Sequence, residues 1–252
     1  SVIFNKELSE RMFGNRSRML ARAEPDIPIL VEEENWGGLA GVASGACNDA
    51  LQLMMLEIRC HKNFSLAKEY ILRARNAAKI LKAIPDATVE ASNFTIPIYC
   101  CLLAHDLVSA QQLANAAIRQ NETPGSHFDI HAKILAACVS DDPELFQTYL
   151  HKFNQLSVLY WWQVQKNYFD LYSSILQRDE LSFSSLLESA IDKFEERAND
   201  KDFGDQLSEY GGLEYNRFAI DFMATGVTIL ARSKGMVCSV NYSEFLPPEL
   251  VE

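Results

Sequence analysis

The sequence predicts an all-α protein, and three observations predict it. Apolar residues recur at helical spacing along most of the 252 residues. Eleven Gly and eight Pro are spread too thinly to punctuate a set of strands. An Asn or Asp that closes one apolar segment and opens the next returns four times. The architecture expected is an irregular array of antiparallel helix pairs with a short extended C-terminal tail. A single bundle-like body is the alternative.

Taken in order, residues 3–22 form a first helix of mixed charge. They are followed by a loop containing EPDIPILVEEENWGG, because two prolines and a Gly pair fall there. The helix pairs then span about 39–83, 90–120, 127–154 and 158–198. The second helix of each pair opens at Asn63, Asp106, Asp142 or Asp179, with spacings of 43, 36 and 37 residues. Each of these side chains can accept one of the backbone N–H groups left free in a first helical turn. Pro143 suits the first position of its helix, where a missing N–H removes no bond. At offsets 4, 7, 8 and 11 from each start stand Ala67, Tyr70, Ile71 and Ala74, then Ala110, Leu113, Ala114 and Ala117. Phe146, Tyr149, Leu150 and Phe153 follow, then Phe183, Leu186, Leu187 and Ala190. Those offsets lie on one helix face, which is the predicted core side.

Residues 199–212 read as a polar loop, and residues 213–234 as a capping helix packed around most of its circumference. On that helix Glu214, Arg217, Asp221, Thr225, Thr228 and Arg232 fall on one narrow stripe, with Arg217 and Asp221 in ion-pair spacing. The stripe is expected to face water or to order a neighbouring helix. The tail, MVCSVNYSEFLPPELVE, is extended at its start; a short strand is possible there, but one strand makes no sheet. The whole chain is expected to be one domain.

The net charge of −11 is local. Residues 24–34 carry five acids and no base, and residues 178–214 carry eleven acids against four bases, so the rest of the chain is nearly neutral. A field of that sign repels nucleic acid and anionic membrane and attracts a basic partner. Glu32, Glu33, Glu34, Trp36, Asp200, Asp202, Asp205 and Glu209 are therefore the candidate partner-binding residues. No apolar run reaches the roughly 18 residues that cross a bilayer, so a cytoplasmic protein is expected. The six cysteines form no C-x-x-C pair and read as buried, reduced thiols.

Motifs for chemistry are weak. His105-Asp106, with His61 upstream and Asp129 or Asp141 downstream, is the best match to a helical metal phosphohydrolase, but Asp106 already has a cap role. His127 and His131 are spaced to share a metal, yet HFDIH lacks the Glu of a zinc-protease helix, and two surface histidines are expected instead. NWGGLAGVASGAC lacks the Lys-Ser/Thr ending of a phosphate loop. Trp161, Trp162, Tyr160, Tyr168 and Tyr172 read as core packing. No catalytic residue, metal or cofactor is expected.

The run from Glu209 to Val251 carries Tyr210-Gly211-Gly212, Glu214-Tyr215-Asn216, an Asp in an apolar segment, Leu230-Ala231-Arg232, Gly235, and Leu246-Pro247 three residues before Leu250. In these features it resembles the C-terminal part of the immunity 49 family, whereas the rest of the chain shares only helical character with it. The resemblance implies a helical cytosolic protein encoded beside a polymorphic bacterial toxin, which it binds and neutralises, with no catalytic residues. The expected partner is thus a toxin domain, with a homo-oligomer also possible. A helical scaffold for another protein is the alternative.

Overall fold

In the computed structural model, which describes residues 6–156, 161–200 and 219–252, the first helix does not stop at residue 22. Helix α1 runs Lys6–Glu32 straight through Pro25 and Pro28, where a loop was expected. Each proline removes a backbone donor from the ladder. Leu20 and Ile27, seven residues apart, are nonetheless buried on one face, and Leu30 and Val31 continue that face onto the core. Packing along α2 (Trp36–Leu56) outweighs the lost bonds.

A π-helical turn, Glu57–His61, ends α2 before α3 (Phe64–Ile80). A 3-10 turn, Ala91–Phe94, then leads into α4 (Thr95–Leu103) and α5 (Leu107–Ile118). Next come α6 (His127–Val139), α7 (Pro143–Asn154), α8 (Trp161–Gln177) and α9 (Glu180–Ala198). Phe222–Ser233 forms α10 and Pro248–Val251 forms α11. Among the described residues the only bridges are isolated ones, Glu90 with Asn121 and Ser243 with Leu246, so the class is all-α.

The four predicted caps accept from the N–H three residues on: Asn63 from Leu66, Asp106 from Ser109, Asp142 from Leu145 and Asp179 from Ser182, at 2.9–3.1 Å. Asn35 does the same for Gly38 at the start of α2, a fifth instance. Before each cap stands a residue with positive φ, namely Glu34, Lys62, His105, Asp141 and Arg178. In four of the five turns that residue and the cap donate back to the preceding helix in the same way. His105 donates to Leu102 and Asp106 to Cys101, and the α1–α2, α6–α7 and α8–α9 turns repeat the pattern. This is the Schellman closure, in which the last free carbonyls of one helix are satisfied by the residue that caps the next. One two-residue device therefore ends one helix and starts its successor.

The helical offsets fall as expected. Fourteen of the sixteen side chains named at them are buried, and Leu150 and Leu186 are half-buried against the same core. Helix α2 packs on α1 and α3, α4 on α3 and α5, α6 on α5 and α7, and α8 on α9. The thiols of Cys47, Cys100, Cys101 and Cys138 are buried, Cys60 and Cys238 are half-buried, and all six are free.

Helix α10 corrects the second expectation. It begins at Phe222 and not near residue 213, because Asp221 is its cap, accepting from the Ala224 N–H at 2.9 Å. Glu214 and Arg217 lie outside the described residues. Thr225 and Thr228 do not face water; both are fully buried, and their hydroxyls donate to the carbonyls of Asp221 and Ala224 at 2.8 Å. Gly226 lets the helix approach Tyr99 of α4. After Gly235 the chain turns back along α9. The Val237 N–H donates to Glu180 Oε1 at 2.7 Å, the Ser239 N–H to Ser184 Oγ at 3.1 Å, and Asn241 Nδ2 to Glu188 Oε1 at 3.0 Å.

Candidate partner-binding surface

The first acidic segment is the C-terminal end of α1 and its turn into α2. Glu32, Glu33 and Glu34 are exposed, and none of them forms an ion pair with another described residue. The last turn of α1 holds no basic residue, so the acids sit at the negative end of the helix dipole, where a cation would stabilise. Glu24, further back, differs: Arg73 of α3 grips it through two bonds of 2.8 Å. Trp36, at the first position of α2, is half-buried against the core, so only part of it is available to a partner.

The helix places something beside these acids that the loop reading could not. Positions 19, 22, 26, 29 and 33 are spaced by 3, 4, 3 and 4, and so share one face. Met19 is 51% exposed and Ile29 52% exposed, with Asp26 and Glu33 exposed along the same face. The result is an outward helix face on which two apolar side chains stand with the carboxylates of Asp26 and Glu33 and the guanidinium of Arg22. The signal was present in the sequence as the Leu20, Ile27 and Leu30 spacing that continues through both prolines.

The second acidic segment is described only in part. Asp200 is exposed just beyond α9, while Asp202, Asp205 and Glu209 lie outside the described residues. Helix α1 packs on α2, and α9 on α8 and α10, so the described contacts do not gather the two acidic segments into one surface.

The residues weighed for chemistry are engaged elsewhere. His105 Nε2 lies 2.9 Å from the Leu250 carbonyl, while Asp106 turns to Ser109 and its cap. Burial raises the Asp106 carboxyl, but the Ser109 bonds and then Lys79 and Arg75 hold it below the ordinary value. His61 Nδ1 is 3.0 Å from the buried Glu57 carboxylate. Asp129 accepts from the Ser92 and Thr123 N–H groups at 2.8 and 3.0 Å; burial opposes ionisation, yet these bonds keep it below the usual range. His131 is not a surface residue. It is buried, with its ring edge-on to Phe169 and Nε2 3.4 Å from the Tyr172 hydroxyl, because α6 packs on α8 there. Among the described residues no group of three or more His, Cys, Asp or Glu could hold a metal ion.

Among the described residues the Asp221 carboxyl is the most perturbed. It is 1% exposed and accepts from the Tyr168 hydroxyl at 2.8 Å. Burial pushes it up to about 6, against the opposing pull of its cap bond, the Tyr168 bond and Arg197. Tyr99 and Tyr172 share a hydroxyl contact nearby, and burial raises all three tyrosines. The network ties α4, α8 and α10 together inside the core. The side chains of Trp161 and Trp162 lie outside the described residues.

Comparison of the chain with protein-family models, with curated proteins and with solved structures finds no match. Among the described residues no helix is long and apolar enough to cross a membrane.

Proposed function

We propose that this chain is an immunity protein that neutralises a cognate bacterial toxin by binding it, with the outer face of α1 as the docking surface. The observation that carries the proposal is the outward face of α1, where Met19 and Ile29, each about half exposed, stand with Asp26 and Glu33, while Glu32 and Glu34 are exposed at the adjoining end of the helix and its turn. An apolar centre supplies area that a partner can cover. The carboxylates concentrated at the C-terminal end of that face select a basic surface, speed its approach and repel nucleic acid. The charge order opposes the helix dipole, so these acids do not stabilise their own helix, and a role outside the fold accounts for them. The resemblance of residues 209–251 to the immunity 49 family supports the same reading and supplies the partner class. In this reading the protein acts in the cytoplasm, needs no cofactor and makes or breaks no bond.

The test is co-purification with the product of the adjacent toxin gene, followed by Glu32→Lys with Glu33→Lys, and separately Ile29→Ala. The charge reversal slows association roughly tenfold or more at low salt and the effect fades as salt rises. Ile29→Ala speeds dissociation. Unchanged binding by both variants, with unchanged thermal unfolding, removes α1 as the docking surface.

A further inference from the structure

We propose that residues 237–241 form an exposed strand edge through which two copies of this chain pair antiparallel about Ser239. Alternate amides of the segment, those of Val237 and Ser239, donate to α9 through Glu180 and Ser184. In an extended chain successive residues turn their N–H and C=O to opposite sides. The backbone groups of Cys238 and Val240 therefore point away from α9, and among the described residues neither their amides nor their carbonyls form a hydrogen bond. Their side chains are half-buried on the core, whereas Val237, Ser239 and Asn241 are exposed, so the alternation also holds for the side chains.

The devices that keep such an edge from pairing are missing. From Gly235 to Ser243 there is no charge and no proline, although the chain as a whole carries −11. The two most exposed large apolar side chains among the described residues, Leu181 at 87% and Val237 at 81%, also stand here, next to the Glu180 that holds the segment. A second copy fits this edge because the register is self-complementary. With Ser239 opposite the partner's Ser239, Cys238 faces the partner's Val240 and Val240 faces the partner's Cys238. Both are hydrogen-bonded pairs, each exchanging two backbone bonds. Val237 then lies over the partner's Asn241, and the neutral segments meet without bringing like charges opposite one another.

The experiment is light scattering coupled to size exclusion, in reductant so that Cys238 cannot cross-link, from micromolar to millimolar protein. The unaltered chain shows twice its single-chain mass. Ser239→Lys and Ser239→Glu each show the single-chain mass with unchanged helical circular dichroism, because like charges meet at the two-fold axis. An equimolar mixture of the two restores the doubled mass. A single-chain mass for the unaltered protein throughout, or a doubled mass for either variant alone, overturns the proposal. Should a variant fail to fold, amide exchange in the unaltered protein decides. Exchange at Cys238 and Val240 slows as concentration rises, and rates independent of concentration overturn the pairing. This inference does not rest on the toxin-binding role.

Discussion

Replacing Asp221 by Asn alters how stability depends on pH in a way the structure fixes. The carboxyl is fully buried, caps α10 and takes the Tyr168 hydroxyl, and burial raises it from 3.8 to about 6. The folded state thus holds its proton more tightly than the unfolded chain does. A raised value contributes stability that is present below the unfolded pKa and is lost as pH rises through about 6. At about 1.4 kcal/mol per pKa unit, the loss between roughly pH 4 and pH 7.5 is about 2 kcal/mol. Asn keeps an acceptor for the Ala224 N–H and cannot titrate. Urea unfolding of both proteins at the two pH values isolates this group, because every other titrating residue cancels in the difference. The difference should move by about 2 kcal/mol in favour of Asn on going to the higher pH. A difference that stays constant with pH, or moves the other way, refutes the placement of Asp221 as a buried, proton-holding cap.

A Cβ at residue 226 would lie 2.8 Å from Tyr99 Cδ1, and that ring is held by the Phe222 edge contact and the Tyr172 hydroxyl. Gly226→Ala should therefore lower stability by about 1–3 kcal/mol despite better helix propensity, whereas Gly41→Ala, with nothing within 4 Å, should raise it by up to about 1 kcal/mol; thermal unfolding of both gives the two signs. Asp129→Ala leaves the Ser92 and Thr123 amides without their acceptor and should cost roughly 2–4 kcal/mol at neutral pH, measured by urea unfolding. Because Asp129 is held below its usual range, its contribution is present above the ordinary carboxylate pKa and is lost as pH falls through the folded value, so the penalty should shrink in acid. Lys62 is exposed at φ 55°, and Lys62→Gly should raise the melting temperature, the relief of left-handed strain exceeding the added freedom of the unfolded chain.

The helix starts were legible because Asn and Asp advertise a cap chemically, and the core followed from the apolar offsets behind them. The residue before each cap was not legible. Glu34, His105, Asp141 and Arg178 adopt the left-handed region without being glycine, because the Schellman bonds, and not the side chain, select that conformation, and Lys62 adopts it at the end of the π-helical turn. Pro25 and Pro28 signalled a break in α1, but burial of the Leu20 and Ile27 face overrode a local preference. Asp221 fitted the polar stripe of a longer helix and a cap equally well, and only contact with Tyr168 and the approach of α10 to Tyr99 distinguish them. Of the candidate surface, the acidity of Glu32–Glu34 was visible in composition. Its union with Met19 and Ile29 required knowing that the segment is helical.

The docking role is tested most directly by titration calorimetry of the purified chain against the toxin domain proposed as its partner, at low and at physiological salt. One tight complex is expected, weakening with salt and losing affinity in the protein carrying Glu32→Lys, Glu33→Lys and Ile29→Ala, whose fold is intact. Absence of binding by the unaltered chain, or full affinity in the triple variant, contradicts the docking role.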